Sequence, residues 1–267
     1  MKTGFFSIYV VMFFFVTTVS AQNPNYYIEN ACGIDMKMIY VEGGMFVMGA
    51  SEDDKEAMHW ERPRHLVTLD SYYIAEFEVT QAQWQKIMGT TIYQQRDKSN
   101  LLSLNGVGDN YPMYYVNYDE AINFCEKLSL LTGKTYLLPT EAQWEFAARG
   151  GNKGKNSDNK YSGSYSVDAV AWYSDNSNST QPVGKKRANQ LGIYDMSGNV
   201  WEWCRDWCSD YQSNSQTNPQ GPRKGLHRVL RGGSWYNWAM FCRVSCRSYT
   251  VPSYRINDRG FRVVCLP

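Results

Sequence analysis

One central segment is the most distinctive part of this chain: Gly192-Ile193-Tyr194-Asp195-Met196-Ser197-Gly198-Asn199-Val200-Trp201-Glu202-Trp203. It combines turn-forming residues with two tryptophans and two acidic residues. Further distinctive segments lie on both sides of it. They are Val41-Glu42-Gly43-Gly44-Met45-Phe46-Val47-Met48-Gly49, Glu78-Val79-Thr80 with Trp84, Leu138-Pro139-Thr140-Glu141-Ala142-Gln143-Trp144-Glu145, Arg231-Gly232-Gly233-Ser234-Trp235 and Gly260-Phe261-Arg262. With no internal repeat and no long linker between them, they indicate a single domain.

Local patterns predict a mixture of helices and short strands. Thr80 and Thr140 each begin a capping box. In it the threonine side chain accepts a hydrogen bond from the backbone amide three residues later, and the glutamine there accepts one from the threonine's own amide. Asn117 with Glu120 is a weaker capping box, and Gly133 suits the end of that helix. Strands are expected at 38–41 and 45–48, as a hairpin around Gly43-Gly44, and at 66–69 and 72–74. Residues 153–189 are polar and irregular, so the whole reads as a loop-rich α+β domain.

The N-terminus predicts export. Lys2 precedes an apolar run over residues 5–19, and Val19-Ser20-Ala21 offers small residues at a cleavage site. The alternative is an uncleaved anchor, but the run is shorter than the roughly 20 residues a spanning helix needs. The residue directly after Ala21 is Gln22 and not a cysteine, which disfavours a lipoprotein. We therefore expect a signal peptide at 1–21, a lead-in at 22–37, a domain at 38–267, and a mature chain without a membrane span that is secreted, periplasmic or surface-bound.

Composition excludes some partners and favours others. The net charge of +1 offers no basic field for nucleic acid or an anionic membrane. The 20 tyrosines and 9 tryptophans suit either a recognition surface or an aromatic core. Seven cysteines leave at least one unpaired if the others form disulfides. The three histidines show no metal or catalytic-triad spacing.

The order and spacing of the distinctive segments resemble the formylglycine-generating enzyme, or sulfatase-modifying factor, family. The resemblance implies a loop-rich, C-type-lectin-like single domain of α+β class. It also implies a structural calcium site, formed by the side chains of Asp195 and Glu202 and the carbonyls of Gly198 and Val200. Such hard oxygen ligands suit calcium. The alternative is that the two carboxylates cap loops without a metal.

The family's catalytic residues carry over incompletely. Its enzymes hold Cu(I) between two thiolates after the Gly-Gly-Ser motif, a soft-ligand site. The matching positions here are Asn237 and Cys242, and Ser234 matches the serine beside the oxygen site. An amide cannot replace a thiolate, so no catalytic residue is expected. If the chain is an enzyme after all, copper would depend on Cys242 and Ser234, with Cys246 as a substitute ligand.

One disulfide follows from the same resemblance. The family pairs a cysteine on the helix before the Leu-Pro-Thr-Glu motif with one at the chain end. Cys125 and Cys265 match these positions, and Cys265 lies two residues past the family's own. Cys204 with Cys242 is a second candidate pair.

Residues 231–264 show a further pattern. Invariant-looking residues alternate with residues whose codons can all end in a pyrimidine, the outcome of adenine-directed mutagenesis of asparagine codons. The segment therefore resembles the variable region of diversity-generating retroelement proteins, although Trp238 does not fit. The expected ligand-binding residues are Tyr236, Asn237, Trp238, Phe241, Cys246, Ser248, Tyr249, Thr250, Val251, Ser253, Tyr254, Ile256, Asn257 and Asp258.

These patterns lead to one expected function with two alternatives. The first is an exported, non-catalytic recognition protein that binds a protein or glycan ligand through this segment, on a calcium-supported scaffold. The second is a copper-dependent oxidase that acts on a sulfatase cysteine. The third is a structural subunit of a secretion or gliding apparatus.

Overall fold

The computed structural model describes residues 1, 25–101, 103–155 and 157–267. The predicted signal peptide lies outside the described residues except for Met1. No described helix is both long enough and apolar enough to cross a membrane.

Four α-helices form among the described residues, and each begins with a capping box. They are α1 (Gln81–Met88), α2 (Ile92–Asp97), α3 (Tyr118–Thr132) and α4 (Glu141–Ala148). The caps predicted at Thr80, Asn117 and Thr140 are confirmed, since each side chain accepts from the amide three residues on. The sequence reading missed α2, although Thr91 and Gln94 repeat the same device.

In the part of the chain that the structure describes, twelve strands form three sheets. The strands are β1 (Tyr26–Glu29), β2 (Met36–Val41), β3 (Gly44–Met48), β4 (His65–Leu69), β5 (Tyr72–Ala75), β6 (Tyr136–Leu137), β7 (Trp201–Trp207), β8 (Gln216–Thr217), β9 (Arg228–Arg231), β10 (Arg247–Thr250), β11 (Arg259–Gly260) and β12 (Val264–Cys265). Their orders are β1-β2-β5-β12-β6, β10-β9-β7-β11 and β3-β4-β8. Part of the expected lead-in is β1, which pairs with β2 and so belongs to the first sheet.

The hairpin predicted around Gly43-Gly44 is wrong. Both strands form, but β2 pairs with β5 and β3 pairs with β4, in different sheets. A side chain on Gly43 would collide with the backbone of residues 69–71, its Cβ lying 2.6 Å from the Leu69 carbonyl oxygen. The chain therefore passes close under the β4–β5 connection and moves from one sheet to the next.

The core lies between these sheets and the helices. Trp84 and Trp144 are 1% and 0% exposed, which confirms both as core anchors. Buried ion pairs join the C-terminal part of the chain to earlier elements. They are Arg231–Glu145, Arg243–Glu61, Arg247–Glu141 and Arg262–Glu202. Each arginine thus fixes the backbone around 231–262 to the body of the domain.

Candidate functional site

The C-terminal segment leaves β9 through two glycines and turns back on itself. Gly232 and Gly233 have φ values of 99° and 76°, a region that favours glycine. A Cβ on Gly233 would lie 2.9 Å from Sγ of Cys242, because the 3-10 turn Ala239–Cys242 packs directly against it. This tight return places residues 235–241 together as one projecting loop.

That loop lines a cavity of about 560 Å³. Its lining residues are Ser174, Ser177, Asn178, Trp235, Tyr236, Asn237, Trp238 and Phe241. Tyr236 and Trp238 are 69% and 68% exposed, unusually high fractions for large aromatic side chains. The amide of Ser174 donates to the carbonyl oxygen of Asn237 at 3.0 Å, so the two segments around the cavity are joined by their backbones.

Asn237 is held from below by two neighbours. Its Oδ1 accepts a 2.7 Å hydrogen bond from Nε1 of the buried Trp201. The hydroxyl of Ser234 lies 2.6 Å from the same oxygen and 3.2 Å from Oδ2 of Asp258. The side-chain amide of Asn237 thus supplies the hydrogen-bond acceptor for the indole N–H of Trp201.

The two nearby cysteines are buried thiols. Cys242 and Cys246 are 0% and 2% exposed. Burial raises the pKa of Cys242 well above its ordinary range and raises the pKa of Cys246 to about 12. Both thiols are therefore protonated near neutral pH, and each would have to release its proton to bind Cu(I).

Two of the expected ligand-binding residues are not at the surface. Cys246 packs in the core cluster that also contains Trp84, Phe124 and Phe261. Asp258 is 7% exposed, and its carboxylate points toward the Ser234 hydroxyl instead of solvent. Neither residue can contact a ligand at the surface, so both are corrections to the sequence-based set.

The remaining expected residues do not all share one cavity. Tyr236, Asn237, Trp238 and Phe241 line it together. Tyr249 instead packs against the rings of Trp60 and His227, with centroids 6.4 and 5.2 Å away. The others are exposed or partly exposed outside the cavity lining: Ser248, Thr250, Val251, Ser253, Tyr254, Ile256 and Asn257.

Burial separates the two residue classes of the 231–264 segment. The variable-looking residues all reach the surface at least in part, apart from Cys246 and Asp258. The invariant-looking residues are buried except for three, which are Ala239, Pro252 and Arg255. The buried ones are Gly232, Gly233, Ser234, Trp235, Cys242, Arg243, Arg247, Gly260, Phe261 and Arg262. Substitution at most positions of the first class would therefore leave the core intact.

The expected calcium ligands lie in one buried segment, and the Glu202 carboxylate is near enough to Asp195 to raise its pKa. The carbonyl oxygens of Gly198 and Val200 accept no hydrogen bond from any described residue, and Oδ1 of Asp195 has no partner either. Glu202 accepts from Arg262 at 2.7 and 2.8 Å, and Trp144 Nε1 donates to it as well. Unpartnered oxygens of this kind suit calcium, which would share the Glu202 carboxylate with Arg262.

Charge around the same place also favours a cation. Both carboxylate oxygens of the buried Glu78 lack a hydrogen-bond partner. Burial raises the pKa of Glu78 well above its ordinary value, and the Asp195 carboxylate adds to the effect. Burial likewise raises the pKa of Asp195 to about 6. Among the described residues, no group of three or more His, Cys, Asp or Glu side chains is arranged as a metal cage; the expected calcium set needs only two.

All seven cysteines are free thiols in the structure. Cys125 and Cys265 lie in the same core cluster, whereas Cys204 and Cys242 belong to different clusters. The expected Cys125–Cys265 bridge is thus not formed here, and it stays a prediction about the oxidised protein.

The cavity wall at 174–178 was not predicted. These residues belong to the irregular stretch 153–189, and nothing local marks them as facing Trp235–Phe241. The available signal was compositional: Ser174-Asp175-Asn176-Ser177-Asn178-Ser179 is a run of short polar residues, typical of adaptable binding loops.

Comparison with known proteins identifies a matching domain family and related sequences. A domain family described as "Sulfatase-modifying factor enzyme 1-like domain" matches residues 29–266. The chaperone protein LppX of Paenibacillus barcinonensis is 33% identical, over 85% of this chain and 88% of the relative. The formylglycine-generating enzyme of Mus musculus is 28% identical, over 85% and 74%.

Two solved structures share the fold over most of the chain. Treponema denticola variable protein 1 has a TM-score of 0.79 and 31% identity, covering 92% of this chain and 100% of that one. PvdO from Pseudomonas aeruginosa has a TM-score of 0.74 and 27% identity over the same shares. The α+β, C-type-lectin-like fold expected from the sequence is thereby confirmed. The chain belongs to the formylglycine-generating enzyme, or sulfatase-modifying factor, family.

Proposed function

We propose that the protein is an exported, non-catalytic recognition protein whose ligand occupies the cavity between residues 174–178 and 235–241. The observation that carries this is the state of Asn237. It occupies the position of the family's first copper thiolate, and its side-chain oxygen is already committed to Trp201 and Ser234.

The chemistry of the remaining residues supports the same conclusion. A linear Cu(I) site needs two soft thiolates, and only Cys242 stands at a matching position. Its thiol is buried against Gly233, and burial raises its pKa. The loop that would carry the reaction instead presents Tyr236 and Trp238 to solvent, where aromatic side chains can act as anchors for a partner.

Diversification of residues 231–264 fits this function. The structural relative from Treponema denticola is named a variable protein. In the present chain, the variable-looking positions lie mostly at the surface over a buried, ion-paired base. Sequencing the neighbouring DNA tests the idea: we expect a reverse transcriptase gene and a near-copy of the coding segment. A neighbouring sulfatase gene with a Cys-x-Pro-x-Arg motif would favour the oxidase.

A direct assay tests the absence of catalysis. Copper-loaded protein is incubated under oxygen with a peptide that contains the sulfatase cysteine motif, and aldehyde is measured by mass spectrometry. We expect none, while a formylglycine-generating enzyme run in parallel converts the peptide. Aldehyde formation that disappears in Cys242→Ser would restore the copper-oxidase reading and overturn the proposal.

A further inference from the structure

The cavity beside Trp238 has an uncharged lining. Its eight lining residues are aromatic side chains, serines and asparagines, with no Lys, Arg, His, Asp or Glu among them. An anionic ligand would lack a cation to pair with, and a cationic ligand would lack a carboxylate. Because desolvating a charge without a partner is costly, the lining disfavours phosphates, acidic sugars and basic peptides.

The polar groups that remain free are neutral. The Asn178 amide and the Tyr236 hydroxyl make no hydrogen bond to the described residues. Asn237 uses only its oxygen, at 2.7 Å from Trp201 and 2.6 Å from Ser234, which leaves its Nδ2 as a donor. These groups can both donate and accept, so they match a ligand that carries several hydroxyl groups.

The aromatic groups supply the complementary apolar contact. Tyr236 and Trp238 expose flat, rigid faces, and the half-buried Phe241 lies beside them in the lining. A pyranose ring matches both kinds of group. Its axial C–H bonds form an apolar face that can stack on an aromatic ring, and its edge carries hydroxyls. A purely apolar ligand would leave the amides and hydroxyls unpaired, which is unfavourable. A cavity of about 560 Å³ is in the size range of small-ligand sites.

We propose that this cavity binds a neutral saccharide, a short oligosaccharide that stacks on Trp238 and Tyr236 and bonds to Asn178 and Asn237. The inference rests on the proposed recognition function and names the ligand class for that same cavity. It requires no ion in the cavity, since no carboxylate lines it.

The chain contains its own reporter for this contact. All nine tryptophans lie in the described residues, and Trp238 alone is exposed among them. Acrylamide quenching of the native protein therefore reports mainly on Trp238. A sugar ring stacked on the indole should shield it from quencher and shift its emission.

The experiment titrates the mature protein with neutral disaccharides built from hexoses, N-acetylhexosamines and deoxyhexoses, at millimolar concentration. Parallel titrations use sialylated and sulfated sugars and a cysteine-containing sulfatase peptide. We expect at least one neutral saccharide to protect Trp238, with calorimetry giving the affinity. Trp238→Ala and Tyr236→Ala should each weaken that affinity by roughly thirtyfold, the size of a hot-spot truncation. Trp238→Phe should retain most of it.

Tyr165→Ala is the matched control. The exposed fraction of Tyr165 is 66%, similar to the 69% of Tyr236. Tyr165 lines a different cavity, so its loss should leave the affinity unchanged. Because these side chains are exposed, all variants should fold, which circular dichroism confirms.

Three results would overturn the saccharide inference. One is that no neutral saccharide protects Trp238, another that Trp238→Ala binds as well as the native chain. The third is that only the acidic sugars or the peptide bind with this variant dependence. Each leaves the proposed function standing if no aldehyde forms, whereas aldehyde formation would remove the proposed function itself.

Discussion

The indole Nε1 of Trp201 donates a 2.7 Å hydrogen bond to Oδ1 of Asn237. Trp201 begins β7 within the central segment, and Asn237 lies in the C-terminal loop that carries the exposed aromatics. One bond thus ties the floor of the cavity to the core of the domain. At the position that the sequence matches to the family's first copper cysteine, Asn237 thus makes a structural hydrogen bond.

Removing that acceptor should destabilise the fold. Asn237→Ala leaves the buried Trp201 N–H without a partner, so we expect a loss of about 1–3 kcal/mol in the free energy of unfolding. Asn178 lines the same cavity, but its side chain makes no hydrogen bond to the described residues. Asn178→Ala should therefore change the free energy of unfolding by less than about 0.5 kcal/mol. Urea denaturation measures both. Equal effects of the two substitutions would show that the Trp201 bond is immaterial.

Calcium should raise the melting temperature, because an ion that binds only the folded chain stabilises it by mass action. At about a hundred times its Kd, the gain is about 2.7 kcal/mol. Asp195→Ala and Glu202→Ala should abolish the difference between calcium and chelator. Asp119→Ala, an exposed carboxylate in α3, should keep it. If both site variants respond to chelator like the native protein, the site is misplaced.

The Arg243–Glu61 pair should be strongly coupled. Its nitrogen and oxygen are 2.7 Å apart, with side chains 1% and 0% exposed. Arg243→Met would leave a buried carboxylate uncompensated, at a cost of about 3–5 kcal/mol. The double variant Arg243→Met/Glu61→Met should be less destabilised than that. Lys98→Ala, which breaks an exposed pair with Glu120, should cost under about 1 kcal/mol. Additive single-variant effects would argue against coupling.

The contribution of Asp206 to stability should fall as pH rises toward neutrality. Burial raises the pKa of Asp206 to about 7, and the Glu141 carboxylate adds to this, while Arg205 and Arg247 oppose it. A carboxyl group with a raised folded-state pKa stabilises the fold below its ordinary pKa of about 4, and this is lost as pH approaches 7.

Asp206→Asn tests this, because an amide oxygen can still accept the 2.9 Å bond from the Glu141 amide. The variant's stability relative to the native chain should improve from pH 4 to pH 7 and then level off. Asp210→Asn, at an exposed carboxylate on the same stretch, should show no such trend. Parallel pH profiles for Asp206→Asn and native protein would contradict the assignment.

Oxidation should join Cys125 to Cys265. Both thiols are buried in one core cluster, and burial raises the pKa of each, so alkylating reagents should reach neither before unfolding. Peptide mapping of the non-reduced, denatured protein should yield one cross-linked peptide that contains both residues. Alkylation of both cysteines in that experiment would remove the bridge. Cys32, which is exposed, should be alkylated in either case.

The starts of α1, α3 and α4 and the family were readable from the sequence because their signals are local or cumulative. A capping box such as Thr140 with Gln143 is formed within one helical turn, so the start of the helix can be predicted from neighbouring residues alone. The distinctive segments identified the family by their combined order. By its spacing from Ser234, the same resemblance matches Asn237 to the family's first copper cysteine, and this match stays a prediction.

Which surfaces those elements expose depended on partners far away in the chain. β2 and β3 looked like a hairpin, but their ladders are completed by β5 and β4. The sequence predicted Asp258 at the surface, but its carboxylate points inward, toward the hydroxyl of Ser234, which lies 24 positions earlier. The cavity exists only because residues 174–178 reach the loop around Asn237. Such pairings depend on non-local packing, and a short stretch of residues carries no record of what will lie against it.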